Sequence, residues 1–583
     1  MSCNPGRLAF APMVILLGLI PAQSVGQTSD AAQKIFKHYF ETKLQDEPEF
    51  ATTTGHYENA DKWNDWSKAG RELRRKHAEE TLSELGKLPA QEILGGDDVS
   101  VRLLKYDLRQ QLEAEDLETH LLRVGQLFGL HTRVYTTIDR MPARTVHDYE
   151  NLLARLHGVP VYVDQNIDIL KESIARGLTQ PRLVVDLVTK QIAAQVAQDQ
   201  VTTPLLIAFR HFPSNFPEAQ QTKLRDEAVA TYEKEFVPAW KKLLEFLQTT
   251  YAPKARPQIG LSSLPGGREE YAILVRRLTT TNTSPDEIHK IGEKEVQRIE
   301  TEMLAVARET GFTGTISEFD KKLDSDPAQH FRSKEEMLIF CRNVAKIIEP
   351  ELPNQFKHIP MMLYGVRAIP EDREQATASN AEAPAPDGSV PGWFNLNTYQ
   401  PEKQARYDKE ALTLHEAVPG HIFQGSLARS QQGLPEFRRF YSNSAYGEGW
   451  ALYAESLGSQ LGLYRDPYSH YGELASERFR AVRLVVDTGI HAMGWTREQA
   501  VEYFGAHAPE IPVAEIDRYI SWPGQALAYK TGQLKIFELR KEAEQKLGPK
   551  FDIRDFHDAV LRDGRLPLEL LQEQVEKYIN NAR

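Results

Sequence analysis

The chain has 583 residues, 41% of them hydrophobic and 26% charged, a balance that excludes a disordered or fibrous protein and leaves ample length for a large core. Its 70 Lys and Arg against 82 Asp and Glu give a net charge of −12, which argues against a non-specific binder of nucleic acid. The only cysteines are Cys3 and Cys341. Once a leader carrying Cys3 is removed, no internal disulfide is possible and the fold rests on its core.

That leader is legible at the start of the chain. Arg7 precedes the apolar run Leu8 to Pro21, and small residues follow at Ser24 and Gly26. This is the layout of a secretory signal peptide over residues 1–26, cleaved near Gly26–Gln27 and directing the protein to a periplasm or the exterior. The run of 14 residues is too short at about 1.5 Å per residue for the roughly 30 Å of a bilayer core, and no later stretch is long and apolar enough. No stable membrane insertion is expected after cleavage.

The mature chain reads as mostly α with a small β element. Ser29 and Asp30 can cap a helix whose Ile35, Phe36, Tyr39, Phe40 and Leu44 form one stripe. The basic run Arg71 to His77 is followed at once by glutamates and reads as a solvated helix face. Ser284-Pro285-Asp286-Glu287 is a capping box; Ile288, Ile291, Ile299, Met303 and Val306 supply the apolar face, and Gly311 the stop. Cys341 reads as a small buried apolar residue, and Thr496 with Gln499 repeats the capping box before Ala500, Val501 and Phe504. Two stretches interrupt the helices. Gln258 to Gly267 is a Gly/Pro turn and a lobe boundary, dividing an N-terminal helical region (27–260) from a second (261–583), or one domain into two lobes. Thr377 to Gly392 reads as a mobile loop leading into a strand-like segment, Trp393 to Tyr399.

Chemistry concentrates in LTLHEAVPGHIFQ, Leu412 to Gln424. Zinc peptidases that use His-Glu-x-x-His place their histidines four apart, on one helix face. Here His415 and His421 are six apart, hence roughly 120° around a regular helix. Pro419-Gly420 offers a remedy, since a bulge there would bring His421 round; a proline-kinked helix with two incidental histidines fits as well. Farther on, GEGWALYAE carries Glu448 and Glu455, seven apart and so on one face. Glu448 suits a third ligand and Glu455 a residue orienting a histidine, although pairing with Arg478, Arg480 or Arg483 explains Glu455 equally well.

The motifs LPGGREEYAILVRRLTTTNTSPDEIHKIG, HEAVPGHIFQ, EGWALYAE, RLVVDTGIHAMGW and YISWPGQALAYKTG, in this order, resemble the bacterial family catalogued as domain of unknown function 885. Its members are similar to the largely helical gluzincin metallopeptidases, such as angiotensin-converting enzyme and the oligopeptidases. The resemblance implies a large helical fold with a deep cleft, Zn²⁺ held by His415, His421 and Glu448, and Glu416 as general base. The wider spacing of the histidines departs from the usual gluzincin pattern. Tyr529 is a candidate for stabilising an oxyanion and is equally readable as a packed aromatic; His491 could do the same work, although a lone histidine is more often structural, and Gln525, one turn before Tyr529, is a candidate to contact substrate. The segment bearing Asn395, Asn397 and Tyr399 could bind an extended peptide along its edge or form a hairpin beneath the cleft. The expected function is zinc-dependent hydrolysis of a peptide or small amide. A non-peptide amidase or esterase, or a non-catalytic helical binding protein, stands as the alternative.

Overall fold

The computed structural model describes residues 29–93, 97–371, 374, 377–385 and 390–582; the leader and Cys3 lie outside them. Among the described residues the architecture is mostly helical, with one three-stranded sheet. Ser29 accepts from the Ala32 N–H and starts α1, Asp30–Asp46, which buries Ala32, Phe36, Tyr39 and Phe40, with Ile35 and Leu44 half-buried at the flanks. The basic run lies on the helix Lys68–Lys87, where Arg75 meets Glu79 and Asp116 and Arg71 reaches Glu172. Ser284 and Glu287 close the capping box of α2, Pro285–Glu309. Ile291 departs from expectation at 37% exposed. The buried stripe runs through Gly292, Val296 and Ile299, and Ile291 falls roughly 100° to its side. Thr496 and Gln499 cap Arg497–His507, which buries Ala500 and Phe504 and leaves Val501 half-buried. Cys341 is fully buried in Lys334–Ile348.

Two large apolar cores hold the molecule together. One joins Tyr149, Leu156 and Trp240 to Ile299, Met303, Tyr471, Val486 and Tyr519. The other joins Phe36 and Leu104, from the start of the chain, to Leu414, Phe423, Trp450, Ile536 and Leu571 near its end. The cores therefore do not divide the sequence at residue 260. The stretch Gln258–Gly267 contains a 3-10 turn, Leu261–Ser263, pinned where the Leu261 N–H donates to His491 Nδ1.

The sheet has the order β1 (Tyr364–Ala368), β3 (Gly392–Leu396), β2 (Asn380–Glu382). β1 pairs parallel with β3, and β2 pairs antiparallel with it. Two expectations are corrected here. The segment read as a loop from Thr377 contributes a strand, and the strand beginning at Trp393 is central, so neither of its edges is open to a peptide.

Candidate metal centre

The segment that carries both histidines is not one bulged helix. The helix α3, Lys409–Glu416, ends at Ala417, a turn with a cis Val418–Pro419 peptide follows, and a new helix, α4, runs from His421 to Ser430. Gly420 makes this break possible. A Cβ built there would stand 1.9 Å from the His415 carbonyl oxygen and 2.3 Å from that of Leu414, so only glycine lets the chain double back over the end of α3. The turn is held from outside by Trp450, whose indole N–H donates to Pro419 O at 2.8 Å.

Two more helices complete the site. α5, Ser444–Glu455, starts at Asn443, whose side chain accepts from the Tyr446 N–H. It crosses α7, Ala528–Leu547, at a glycine contact. A Cβ on Gly449 would meet Gly532 Cα at 2.5 Å, and one on Gly532 would meet Ala445 O at 1.9 Å. This close approach carries Tyr529, one turn before Gly532, alongside the candidate metal ligands. The ring of Tyr529 lies nearly parallel to that of His415, with centroids 6.3 Å apart.

His421 Nε2 lies 3.2 Å and His415 Nε2 3.7 Å from Glu448 Oε2, and one donor atom from each of the three residues falls within 4.8 Å of the other two. Ligands at about 2.0–2.1 Å from a tetrahedral zinc stand roughly 3.4 Å apart, so this set fits a divalent cation with little movement. Among the described residues no other group of His, Cys, Asp or Glu converges in this way. His415 Nδ1 donates to Glu455 Oε1 at 2.7 Å, and Glu455 is 1% exposed. That carboxylate fixes the ring and turns Nε2 toward the other donors. Arg480 Nη2 is 3.9 Å from Glu455, whereas Arg478 pairs with Asp320 and Glu510, and Arg483 with Glu515. The His415 side chain is 3% exposed against 19% for His421 and 21% for Glu448, so the centre opens to solvent on the side of α4 and α5.

Charge is strongly coupled here. Burial disfavours a charged His415, but hydrogen bonding to Glu448 and Glu455 outweighs it and raises the pKa to about 10. Burial opposes ionisation of Glu448 too, yet His421 and His415 hold it well below the usual carboxylate range. A divalent cation bound here would replace the proton that Glu448 and Glu455 hold on His415. Glu416, the last residue of α3, is buried and makes no hydrogen bond to a described residue; burial raises its pKa despite the neighbouring histidines.

The remaining candidates divide. The Tyr529 hydroxyl accepts from Arg518 Nη2 at 3.2 Å, and the Arg483 guanidinium lies 4.4 Å from its ring centre. Gln525 Oε1 accepts from the same Arg518 nitrogen at 2.6 Å, so its side chain serves to fix Arg518. His491 cannot donate to an oxyanion. It is fully buried at the end of Pro467–His491 (α6), its Nδ1 accepts from Leu261 N and its Nε2 donates to Tyr519 O. Asn395 accepts from Arg367 and donates to Asn380 and Glu382. Asn397 donates to the carbonyls of Glu374 and Thr377 and accepts from the Tyr399 N–H. These asparagines stitch the sheet and its following turn, and their amides are spent.

One charged neighbour was not singled out by the sequence. Arg565 lies against Gly447, beside Glu448, and its Nε donates to Gln424 Oε1. It belongs to none of the motifs, and only the tertiary fold brings it to α4 and α5.

Comparison with known proteins places the molecule. No curated protein matches the chain. The crystal structure of a protein from Colwellia psychrerythraea, described as a "putative lipoprotein", is similar with a TM-score of 0.89 and 26% identity, over 94% of this chain and 99% of that one. A structure from Shewanella oneidensis, described in the same terms and as of unknown function, has the same fold, with a TM-score of 0.70 and 17% identity over 93% of this chain and 99% of that one. The family described as "Bacterial protein of unknown function (DUF885)" matches residues 48–575, and the chain belongs to that family.

Proposed function

We propose that the protein is an exported zinc-dependent hydrolase that cleaves peptide bonds, similar in the organisation of its site to gluzincin peptidases. The observation that carries this reading is the convergence of His415, His421 and Glu448 within 4.8 Å, with His415 oriented by a buried carboxylate and one side of the site open. Zinc held there would supply Lewis acidity and a bound water with a pKa near about 7. Glu416 follows His415 directly and has an unengaged carboxylate, so it is placed to accept a proton from the attacking water and return it to the leaving amine. Tyr529 stands beside His415 with its hydroxyl oxygen accepting from Arg518, which leaves its own proton to be donated to a developing oxyanion. Arg518, fixed by Gln525 and Glu515, holds that hydroxyl in place.

Export is supported by the leader-like first 26 residues and by the description of the two structural relatives, and no helix among the described residues is long and apolar enough to cross a membrane. Elemental analysis of the purified protein, together with digestion of an unbiased peptide library with and without a chelator, tests the function. About one zinc per chain and chelator-sensitive cleavage are expected. Absence of bound metal would reject the assignment, and turnover of esters or non-peptide amides alone would move it to another hydrolase class.

A further inference from the structure

Arg565 is held on neutral partners. Its Nε donates to Gln424 Oε1 at 3.2 Å and its Nη1 to Ser442 Oγ at 3.3 Å, and it forms no ion pair among the described residues. Three arginines on neighbouring helices are instead matched by carboxylates: Arg478 by Asp320 and Glu510, Arg483 by Glu515, and Arg298 by Glu295 and Glu477. The position of Arg565 is equally specific. Gln424 lies one turn after His421 on α4, and a Cβ on Gly447, the residue before Glu448 on α5, would stand 3.4 Å from Arg565 Cζ. Arg565 is therefore wedged between the helices that supply two of the three candidate ligands, on the side where His421 and Glu448 remain partly exposed.

The neighbourhood is also positive. Arg429, on α4, donates to the carbonyls of Ala383 and Pro384 and forms no ion pair among the described residues. Its pKa falls to about 10, through burial first and then the charges of Arg565 and Arg140. The carboxylate whose charge acts on Arg565 is that of Glu448, which a bound cation would neutralise.

We propose that Arg565 recognises a carboxylate of the substrate, positioning a peptide chain end beside the metal centre. This rests on the peptidase reading and narrows it: the preferred substrate ends, or carries an acidic side chain, shortly after the scissile bond. A guanidinium with an unspent nitrogen suits a carboxylate through charge-assisted, fork-shaped hydrogen bonding. Gln424 and Ser442 set the plane of the fork, and glycine at 447 lets it lie against α5.

Calorimetric binding to the full mature chain tests this, with Glu416→Gln in every arm to suppress turnover and zinc content measured throughout. The probes are N-acetyl-Ala-Ala with a free C-terminus, its C-terminal amide, and N-acetyl-Ala-Glu amide. The free acid should bind about tenfold or more tighter than the amide, the size of a charged hydrogen bond. Arg565→Gln should abolish that preference while retaining zinc and the melting temperature. If the glutamate-bearing amide binds as tightly as the free acid, the carboxylate site stands and accepts a side-chain carboxylate as well as a chain end; if it binds no better than the plain amide, the site is specific for the chain end. No acid preference in the Glu416→Gln parent, or an undiminished preference in Arg565→Gln, overturns the proposal. Should Arg565→Gln not fold, Arg565→Lys decides, since loss of the fork should cut the preference severalfold and an unchanged preference would refute the role. Lack of zinc in all arms would reject the metal centre and leave the binding comparison readable.

Discussion

His415 and His491 are both buried histidines on helices, and their surroundings give them opposite roles. His491 places both ring nitrogens on the backbone, one accepting from Leu261 and one donating to Tyr519. Burial lowers its pKa to about 3, so it stays neutral and joins the turn at 261 to α6 and to the helix Ala514–Ser521. His415 gives one nitrogen to Glu455 and aims the other at Glu448. A buried histidine becomes a candidate ligand when a carboxylate takes one nitrogen and the fold leaves the other facing a second donor. The same contrast separates Tyr529, whose hydroxyl only accepts and lies beside the candidate metal centre, from Asn395 and Asn397, whose amides are consumed by the sheet and the turn after it.

The contrast is broken most severely by removing a ligand. His421→Ala leaves two donors, a poor site, and should reduce bound zinc to near zero and abolish turnover; elemental analysis of the variant reads this directly, and full zinc occupancy would show that the metal lies elsewhere. Next in size, Glu416→Gln should retain zinc while kcat falls by about 10²-fold or more. Near-normal turnover would assign the base to another residue. Tyr529→Phe should lower kcat by about 10²-fold, roughly 3 kcal/mol, with KM and zinc content nearly unchanged. A less stable but fully active variant would return Tyr529 to a packing role beside Arg483.

Much of the centre could be read from residue types. Two histidines around a glutamate, then two glutamates seven apart on a later helix, suffice to name the three residues that converge and the carboxylate behind His415. The spacing was misleading because it assumed one helix. The chain instead stops at Glu416 and restarts at His421, and Pro419-Gly420 was the visible sign of that break. The capping boxes at Ser284 and Thr496 were legible because they are local. The strand Asn380–Glu382 was not, for its residues have little strand preference of their own and are drawn into the sheet by pairing with β3. Nor could periodicity reveal that the first helix shares a core with the last, or that Arg565 rather than another arginine flanks Glu448. Those facts are set by contacts more than a hundred residues apart in sequence.

Smaller effects sharpen the comparison between the two histidines. Glu455→Ala removes the carboxylate behind His415 without touching a ligand, and zinc affinity should weaken by about 10- to 100-fold; a competitive chelator titration measures it. A loss as complete as that of His421→Ala would make Glu455 a ligand instead.

His491 supplies the last test, through stability rather than metal. Its folded-state pKa of about 3 lies below the ordinary value of 6.5, so between these pH values the unfolded chain binds the extra proton and the native chain does not. Its contribution to stability is therefore intact above about pH 6.5, is lost progressively as pH falls toward about 3, and changes no further below that. The slope from this one group is at most about 1.4 kcal/mol per pH unit. His491→Phe should lower the melting temperature at pH 7, because Leu261 N–H and Tyr519 C=O lose their partner. It should also flatten the decline in stability between pH 6.5 and 4, measured by denaturant unfolding at each pH, while leaving zinc content and kcat of the folded fraction unchanged. A His491→Phe protein that is stable but catalytically dead would show that the two histidines are not opposites after all, and would place His491 back beside the substrate.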